Sequence, residues 1–375
     1  MNSICIFVSN DLVTDQRMQR IAGTLAGAGW KVSLVGRRKK KSVPLILNEV
    51  DVKRVNTWFQ QGIGFYFMLN VLFFFEALRA RTACLMAVDL DTLPAVRLAA
   101  FLRNKTMIWD CHEIFSEMPE LYKNPLRQKT WKFIESLTVP SLKNVIAVNE
   151  GVAAYLEKNY SVKAEVVHNY PLSYPESILP EAKQASGLVL FQGALNEGRC
   201  LEVLIRAVQN LDPALRLMII GEGPLGSHLQ SLSRSLELGH RIEFTGELKP
   251  EDLRKRTPGA FLGISLLEAD HGNSWISLAN KNLDYIMAGL PALTVNFPEY
   301  RKINEHWPVA ILLDSVTEQT VSNAINRIHH DFTAYKGMHA ACLEARKVLC
   351  WEKESGKLIS FFNGLRVDQD GAFQV

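Results

Sequence analysis

The sequence predicts an α/β protein built from two Rossmann-like, doubly wound halves that face each other, followed by C-terminal helices. Three observations predict this. The chain has 375 residues, more than one hydrophobic core usually serves, so two domains are expected. Its first third alternates short apolar runs with helical periodicities, the pattern of a parallel sheet covered by helices on both faces. The same alternation restarts at Leu188, beyond a proline-marked stretch.

Ile4 to Val8 is a continuous apolar run of strand length. Asp15 to Ala28 then carries Met18, Ile21, Ala22 and Leu25 at helical spacing, with Gly29 as the stop. Lys31 to Val35, Val50 to Val55, Ala83 to Val88, Thr106 to Trp109 and Val145 to Val148 read as further strands. Thr92 to Leu102, Leu126 to Val139 and Gly151 to Asn159 read as helices. Asn169 to Pro175 suits a hinge. In the second half, Leu188 to Phe191, Arg216 to Ile220, Ile242 to Phe244, Phe261 to Leu266 and Ala292 to Val295 read as strands. Leu201 to Val208, Leu225 to Leu236, Pro250 to Arg256 and Asn282 to Met287 are the helices between them. Val321 to Phe332, Tyr335 to Val348 and Trp351 to Phe362 are predicted helical, and the tail from Arg366 has no periodicity. The domains are therefore placed at 1–170 and 171–349, with a helix and a loose tail over 350–375.

Composition excludes several classes. Hydrophobic residues make up 47% and charged residues 22%, which excludes disorder, and a net charge of +3 gives no case for nucleic acid. The six cysteines lack Cys-x-x-Cys spacing and are expected as reduced thiols in a cytoplasmic protein. Met1 to Ser9 lacks the basic start and cleavage site of a signal peptide. Gly62 to Phe75 carries no charge, and Glu76 and Arg79 end the run short of the ~20 apolar residues of a spanning helix. It reads either as a buried helix or as one dipping into a membrane surface beside Arg37, Arg38, Lys39, Lys40 and Lys41. Each basic residue at an anionic surface contributes about 1 kcal/mol.

In open parallel sheets ligands bind outside the carboxyl ends of the strands, so two facing sheets predict a cleft with one ligand held by each half. Gly221-Glu222-Gly223-Pro224 leaves a strand, where glycines admit a ligand to the backbone or simply make a sharp turn. Gly193 opens a second such loop, which brings Arg199 to a helix start, where a guanidinium suits a diphosphate leaving group. Asn280-Lys281-Asn282-Leu283-Asp284 puts a cation at a helix N-terminus, an unfavourable place unless an anionic ligand shares it. Asp284, one turn on, is within reach of a ribose. Asp110-Cys111-His112-Glu113 ends a strand of the first half; His112 can donate to a sugar hydroxyl or handle a proton, or the set can serve as turn residues. Asp89-Leu90-Asp91 imitates a metal-binding pair, but Asp91 before Thr92-Leu93-Pro94 reads as a helix N-cap. Asp15 and Arg17 either line an acceptor cleft or serve the first helix.

Taken in order, these segments resemble the retaining bacterial glycosyltransferases of the glycosyltransferase-B fold (group 1), which build capsules, lipopolysaccharide and exopolysaccharides. Ser9-Asn10-Asp11 to Arg17, Asp110 to Glu113, Val166 to Asn169, Gly221 to Pro224, Phe244-Thr245-Gly246, Asn280 to Tyr285 and Cys350-Trp351-Glu352 carry the resemblance. It implies a first domain for the acceptor, with Asp15, Arg17, Asp110, His112 and Glu113 on that side. It implies a second domain for a UDP- or GDP-sugar, with Gly193, Arg199, Gly221, Glu222, Gly223, Asn280, Lys281 and Asp284 around the donor. Arg199 and Lys281 would hold the diphosphate, and His112 would touch the transferred sugar. The final helix would cross back onto the first domain. A glycan or lipid-linked acceptor and a site at the inner face of the plasma membrane are implied, with neither metal nor cofactor.

The sequence departs from the family in four places. Ala194 stands where an arginine is common, Asp284 replaces a glutamate, the first glutamate of the usual pair would fall at Ile276, and Asn10-Asp11 replaces the glycine-rich loop often found after the first strand. Glu268 or His271 is left as the substitute. Two other readings stay open: a nucleotide-sugar epimerase of the same architecture, and a catalytically silent nucleotide-sugar-binding partner. A dinucleotide oxidoreductase is disfavoured, because no Gly-x-Gly-x-x-Gly opens either half.

Overall fold

A computed structural model describes residues 2–39, 42–122, 124–173, 178–269 and 272–365. The described chain divides into two compact units, one of Met1–Asn169 with the segment from Glu354 onward, the other Tyr170–Lys353. Lys40, Lys41, the Tyr174-Pro175 part of the expected hinge, His271 and the tail from Arg366 lie outside the described residues.

The first unit is wound on a sheet of seven strands: β1 (Ser3–Asp11), β2 (Lys31–Arg38), β3 (Val50–Asn56), β4 (Cys84–Val88), β5 (Thr106–Cys111), β6 (Asn144–Ala147) and β7 (Glu165–Val166). They lie parallel in the order β3-β2-β1-β4-β5-β6-β7. β4 is buried at every residue, which is why it reads in sequence as an unbroken apolar run. The helices are α1 (Gln16–Gly27), α2 (Gly62–Arg79), α3 (Asp89–Leu102), the single turn α4 (Pro119–Tyr122), α5 (Pro125–Thr138) and α6 (Glu150–Tyr160). Met18, Ile21, Ala22 and Leu25 form the buried stripe of α1, as their spacing predicts.

Two expectations need correction here. Gly62 to Phe75 is not a buried helix. Phe65, Leu69, Phe73 and Ala77 face the core, where Phe73 meets Phe7 edge-on at 5.5 Å. Two residues out of phase, Ile63, Phe67, Val71 and Phe75 are 75%, 72%, 39% and 49% exposed. The helix is apolar all round, but only one stripe of it meets the sheet. It also runs 18 residues, long and apolar enough to cross a membrane by length and composition, although Glu76 and Arg79 were expected to cut it short. Second, Asp91 is not an N-cap. β4 passes into α3 without a loop, Asp89 makes the corner with a left-handed φ of 59°, and Asp91 is buried in the first turn.

The second unit repeats the winding on six parallel strands: β8 (Leu188–Gln192), β9 (Arg216–Ile220), β10 (Ile242–Gly246), β11 (Leu262–Ser265), β12 (Ala292–Val295) and β13 (Ala310–Leu313). Their order is β10-β9-β8-β11-β12-β13, so the winding of the chain reverses between β8 and β11, the usual ligand position of a doubly wound sheet. Its helices are α7 (Pro180–Ser186), α8 (Leu201–Ala207), α9 (Gly226–Ser235), α10 (Pro250–Arg256), α11 (Asn273–Ile276), α12 (Asn280–Met287), α13 (Pro298–His306), α14 (Glu318–His330) and α15 (Phe332–Ala345). Leu204, Ile205, Leu217, Ile219, Phe261 and Tyr335 pack in one core between sheet and helices.

The last helix, α16 (Trp351–Gly364), contributes its residues from Glu354 onward to the first unit. Glu354 accepts from the His168 backbone N–H at 2.8 Å and lies 2.9 Å from its Nδ1; Phe362 meets Trp30 edge-on at 5.3 Å. The six cysteines are free thiols, five of them buried.

Candidate active site

At the carboxyl ends of β1, β4 and β5, the first unit gathers Arg17, Asp110, His112 and Asp89. Arg17, at the start of α1, is 4% exposed and fully engaged. Its Nη2 and Nε bond the two Asp110 oxygens at 2.8 and 3.1 Å, and its Nη1 donates to the Val167 carbonyl at 2.9 Å. Arg17 and Asp110 therefore form a buried ion pair rather than surface groups.

What the pair supports is His112. Its Nε2 lies 2.7 Å from Asp110 Oδ2 and 3.0 Å from Arg17 Nε. On the other side, Asp89 Oδ1 accepts the His112 backbone N–H at 2.8 Å and Asp89 Oδ2 stands 3.4 Å from Nδ1. Burial alone would lower the imidazole pKa, but Asp110 and then Asp89 raise it to about 9. Burial works against the Asp110 charge as well, yet Arg17 and His112 hold that carboxyl well below its ordinary range. Burial, and next the Asp89 charge, push Asp91 up to about 7. His112 is thus an imidazolium near neutral pH, with 19% of its side chain exposed.

Asp15 caps α1, accepting the Met18 N–H at 3.1 Å, while its other oxygen takes the Asn10 amide at 3.2 Å. Both of its oxygens serve the local fold. Glu113 is half-buried.

In the second unit the two glycine loops pack on each other. Gly193 N–H donates to the Ile220 carbonyl at 2.9 Å, Leu195 N–H to Glu222 at 3.0 Å, and Leu225 N–H to Leu195 at 3.0 Å. A Cβ at Gly221, where φ is +143°, would lie 1.9 Å from the Gly193 carbonyl oxygen, and one at Gly223 would lie 2.6 Å from the Leu195 carbonyl oxygen. The loop contact by itself accounts for these two glycines.

Lys281 is the second residue of α12 and only 9% exposed. Its ammonium lies 3.8 Å from the centre of the Phe191 ring, and a Cβ at Gly193 would come equally close to that nitrogen, at 3.8 Å. Burial, then the charge of Arg199, pull its pKa well below the ordinary lysine value. Arg199 directly precedes Cys200, the N-cap of α8. Neither cation has an ion pair among the described residues. Asp284 is half-buried and accepts from Gln192 Nε2 at 3.3 Å, and Gln192 Oε1 accepts from Thr257 at 2.9 Å. Glu222 and Asn280 are exposed. Glu268 is exposed too, with its N–H on the Gly198 carbonyl at 3.0 Å. Ile276, half-buried in α11, brings no carboxylate.

Three residues here escape motif reading: Asp89, Gln192 and Phe191. Asp89 carries a signal, a carboxylate at a strand's carboxyl end, but beside Asp91 it reads in sequence as half of a metal pair rather than as a partner of His112.

Known proteins match both units. Residues 180–341 match the family model "Glycosyl transferases group 1", and residues 16–170 match "Glycosyltransferase Family 4". The chitobiosyldiphosphodolichol beta-mannosyltransferase of Candida albicans is 23% identical over 277 residues, 65% of this chain and 59% of that enzyme. The chain thus matches less than two thirds of that relative's length. Among solved structures, a sucrose-phosphate synthase from Thermosynechococcus elongatus superposes with a TM-score of 0.83 at 15% identity, covering 97% of this chain and 98% of that one. The Anabaena protein HepE, solved with UDP-glucose, superposes at 0.75 and 13% identity, covering 97% of this chain and all (100%) of that one. The chain has the glycosyltransferase-B fold, and its two halves match glycosyltransferase family models, the second half that of group 1.

Proposed function

We propose that this enzyme moves a sugar from a UDP- or GDP-sugar to a glycan or lipid-linked acceptor, retaining the anomeric configuration and using no metal or cofactor. The observation that carries the reading is the pair Lys281 and Arg199. One cation is buried over an aromatic ring with a second beside it and no carboxylate partner among the described residues, so Arg199 adds to the cost of charging Lys281. A diphosphate removes that cost, and it is a leaving group whose charge grows as the glycosidic bond breaks. The Anabaena complex with UDP-glucose and the diphosphodolichol named in the Candida relative agree with a nucleotide donor and a lipid-linked acceptor.

In this reading Lys281, Arg199 and the α12 N-terminus neutralise the diphosphate, while Gly193, Gly221, Glu222, Gly223 and Asn280 shape the donor loops. Asp284, held by Gln192, takes the ribose. The first domain receives the acceptor, and His112 donates to the transferred sugar. Arg17 and Asp110 position His112, and Asp15 and Glu113 support the same loops. The acceptor hydroxyl attacks on the face the diphosphate leaves, without a covalent intermediate. The pathway is bacterial surface polysaccharide synthesis at the cytoplasmic face of the membrane. The exposed apolar side of α2 supports a peripheral contact there.

Mass spectrometry of transfer from a panel of UDP- and GDP-sugars, run in EDTA, tests the activity, and NMR of the product's anomeric carbon tests retention. An absence of transfer together with no nucleotide binding by calorimetry defeats the proposal. An inverted product defeats the stereochemistry, and a loss in EDTA that divalent metal restores defeats metal independence.

A further inference from the structure

We propose that the groove between α2, α3 and α5 holds the hydrocarbon chain of a phosphate-linked lipid acceptor, with Arg127 at the phosphate. The inference rests on the lipid-linked acceptor proposed above and assigns it a place within the first unit.

The groove has a volume of about 950 Å³, near the top of the range for small-molecule sites, about 300–1,000 Å³. α2 contributes Ile63, Phe67, Val71 and Phe75, α3 contributes Leu98, and α5 contributes Trp131. Of its eighteen lining residues one is charged, Arg127. That composition decides what the groove can hold. Its polar floor is already satisfied from within. The Asn70 amide donates to the Tyr66 and Asp91 carbonyls at 2.9 and 2.8 Å and accepts the Ala95 N–H at 3.2 Å. The Thr130 hydroxyl donates to the Leu126 carbonyl at 2.9 Å. Neither side chain has a donor left over for a peptide carbonyl or a sugar oxygen. The Arg127 side chain is exposed and makes no hydrogen bond or ion pair among the described residues. A long apolar body with one anion at its end matches this surface. The exposed residues that border the groove, Ile63 and Phe67 at 75% and 72%, give a chain drawn from a bilayer an apolar path inward.

The test uses the full chain, with farnesyl phosphate, farnesol and inorganic phosphate as probes in calorimetry. Val71→Trp and Leu98→Trp fill the groove from two helices at half-exposed positions, and Arg127→Ala removes the cation at an exposed one. Farnesyl phosphate is expected to bind more tightly than farnesol, with phosphate alone not binding. Either filling substitution weakens both prenyl probes tenfold or more. Arg127→Ala weakens farnesyl phosphate about tenfold and spares farnesol, as the loss of one charge-assisted contact predicts. UDP binding and melting temperature stay unchanged in all three. Farnesyl phosphate binding that survives both fillings, or no binding at all, overturns the proposal. Dimers that dissociate on Val71→Trp overturn it in favour of a second copy of the chain. Binding to phosphatidylglycerol vesicles without prenyl phosphate binding overturns it in favour of bilayer docking. Prenyl phosphate bound in the groove without sugar transfer supports the groove and counts against the activity.

Discussion

Lys281→Met separates a phosphate role from a packing role at one position. Methionine keeps an unbranched apolar stem against Phe191 and removes the ammonium. If the ammonium meets a phosphate, the substitution deletes one charge-assisted hydrogen bond, worth about 1.5–3 kcal/mol. At about 1.4 kcal/mol per tenfold, UDP binding weakens roughly 10- to 150-fold while uridine binding changes little. The same substitution should raise the melting temperature of the ligand-free protein, because burial and Arg199 both oppose the native charge. The pH dependence has a fixed sign. The native pKa is depressed, so the unfolded chain holds a proton that the native state resists, and stability rises with pH up to the unfolded lysine value. A diphosphate restores the charge, so UDP binding takes up a proton in that window and weakens as pH rises; the variant lacks this slope. Calorimetry of UDP and uridine in two buffers of different ionisation heat reads all of this. Equal losses for both ligands, or no difference in proton uptake between the proteins, would refute the reasoning.

Asp89→Asn keeps an acceptor for the His112 N–H and suits the left-handed corner, so it removes charge with little disturbance of the backbone. The His112 titration followed by NMR should fall from about 9 but stay above the ordinary value of 6.5, because Asp110 remains. Gly221→Ala forces a Cβ to 1.9 Å from the Gly193 carbonyl oxygen. It should cost about 1–3 kcal/mol in denaturant unfolding and weaken UDP as the loops part, and a wild-type unfolding midpoint would count against the loop contact. Glu354→Gln should lower stability by about 1–3 kcal/mol near pH 5.5. Burial opposes both charges, but hydrogen bonds to Glu150 and then Glu354 raise His168, and those from His168 lower Glu354. The histidine contribution is full below 6.5 and lost as pH rises through its raised native pKa. The glutamate contribution is full above 4.5 and lost as pH falls through its depressed one. The wild-type advantage should therefore peak between those values and shrink on either side.

The strands are legible because parallel strands buried on both faces read as mostly apolar runs without alternation, as β4, β11 and β12 do. α13 and β13 were overlooked, although Pro298 at the helix start was a usable signal. Lys281 stood out because a cation at a helix N-terminus runs against the dipole. The surroundings of His112 did not stand out. Asp89 is 23 residues away, and its left-handed turn is a property of the chain reversal at β4 rather than of composition. The exposed face of α2 was equally hidden. A helix with apolar residues on every side shows no periodicity that separates its core stripe from its open one, and only the position of the sheet does so.

The charge on His112 narrows the chemistry proposed for the first domain. A general base works best with a pKa near the working pH and a free nitrogen. His112 has neither, because its pKa stands at about 9 and its ring nitrogens lie against Asp110 and Asp89. It can orient a sugar or offset developing negative charge, but it is poorly placed to take the acceptor's proton. Asp110 is tied to Arg17, and Asp15 spends both oxygens on Met18 and Asn10. Under a retaining mechanism the departing diphosphate oxygen itself can take the proton, on the face from which the acceptor attacks. Two consequences can be measured. Transfer should fall at high pH as the imidazolium titrates, and Asp89→Asn should shift that fall to lower pH. A rate that instead rises as His112 loses its proton would restore the histidine as the base.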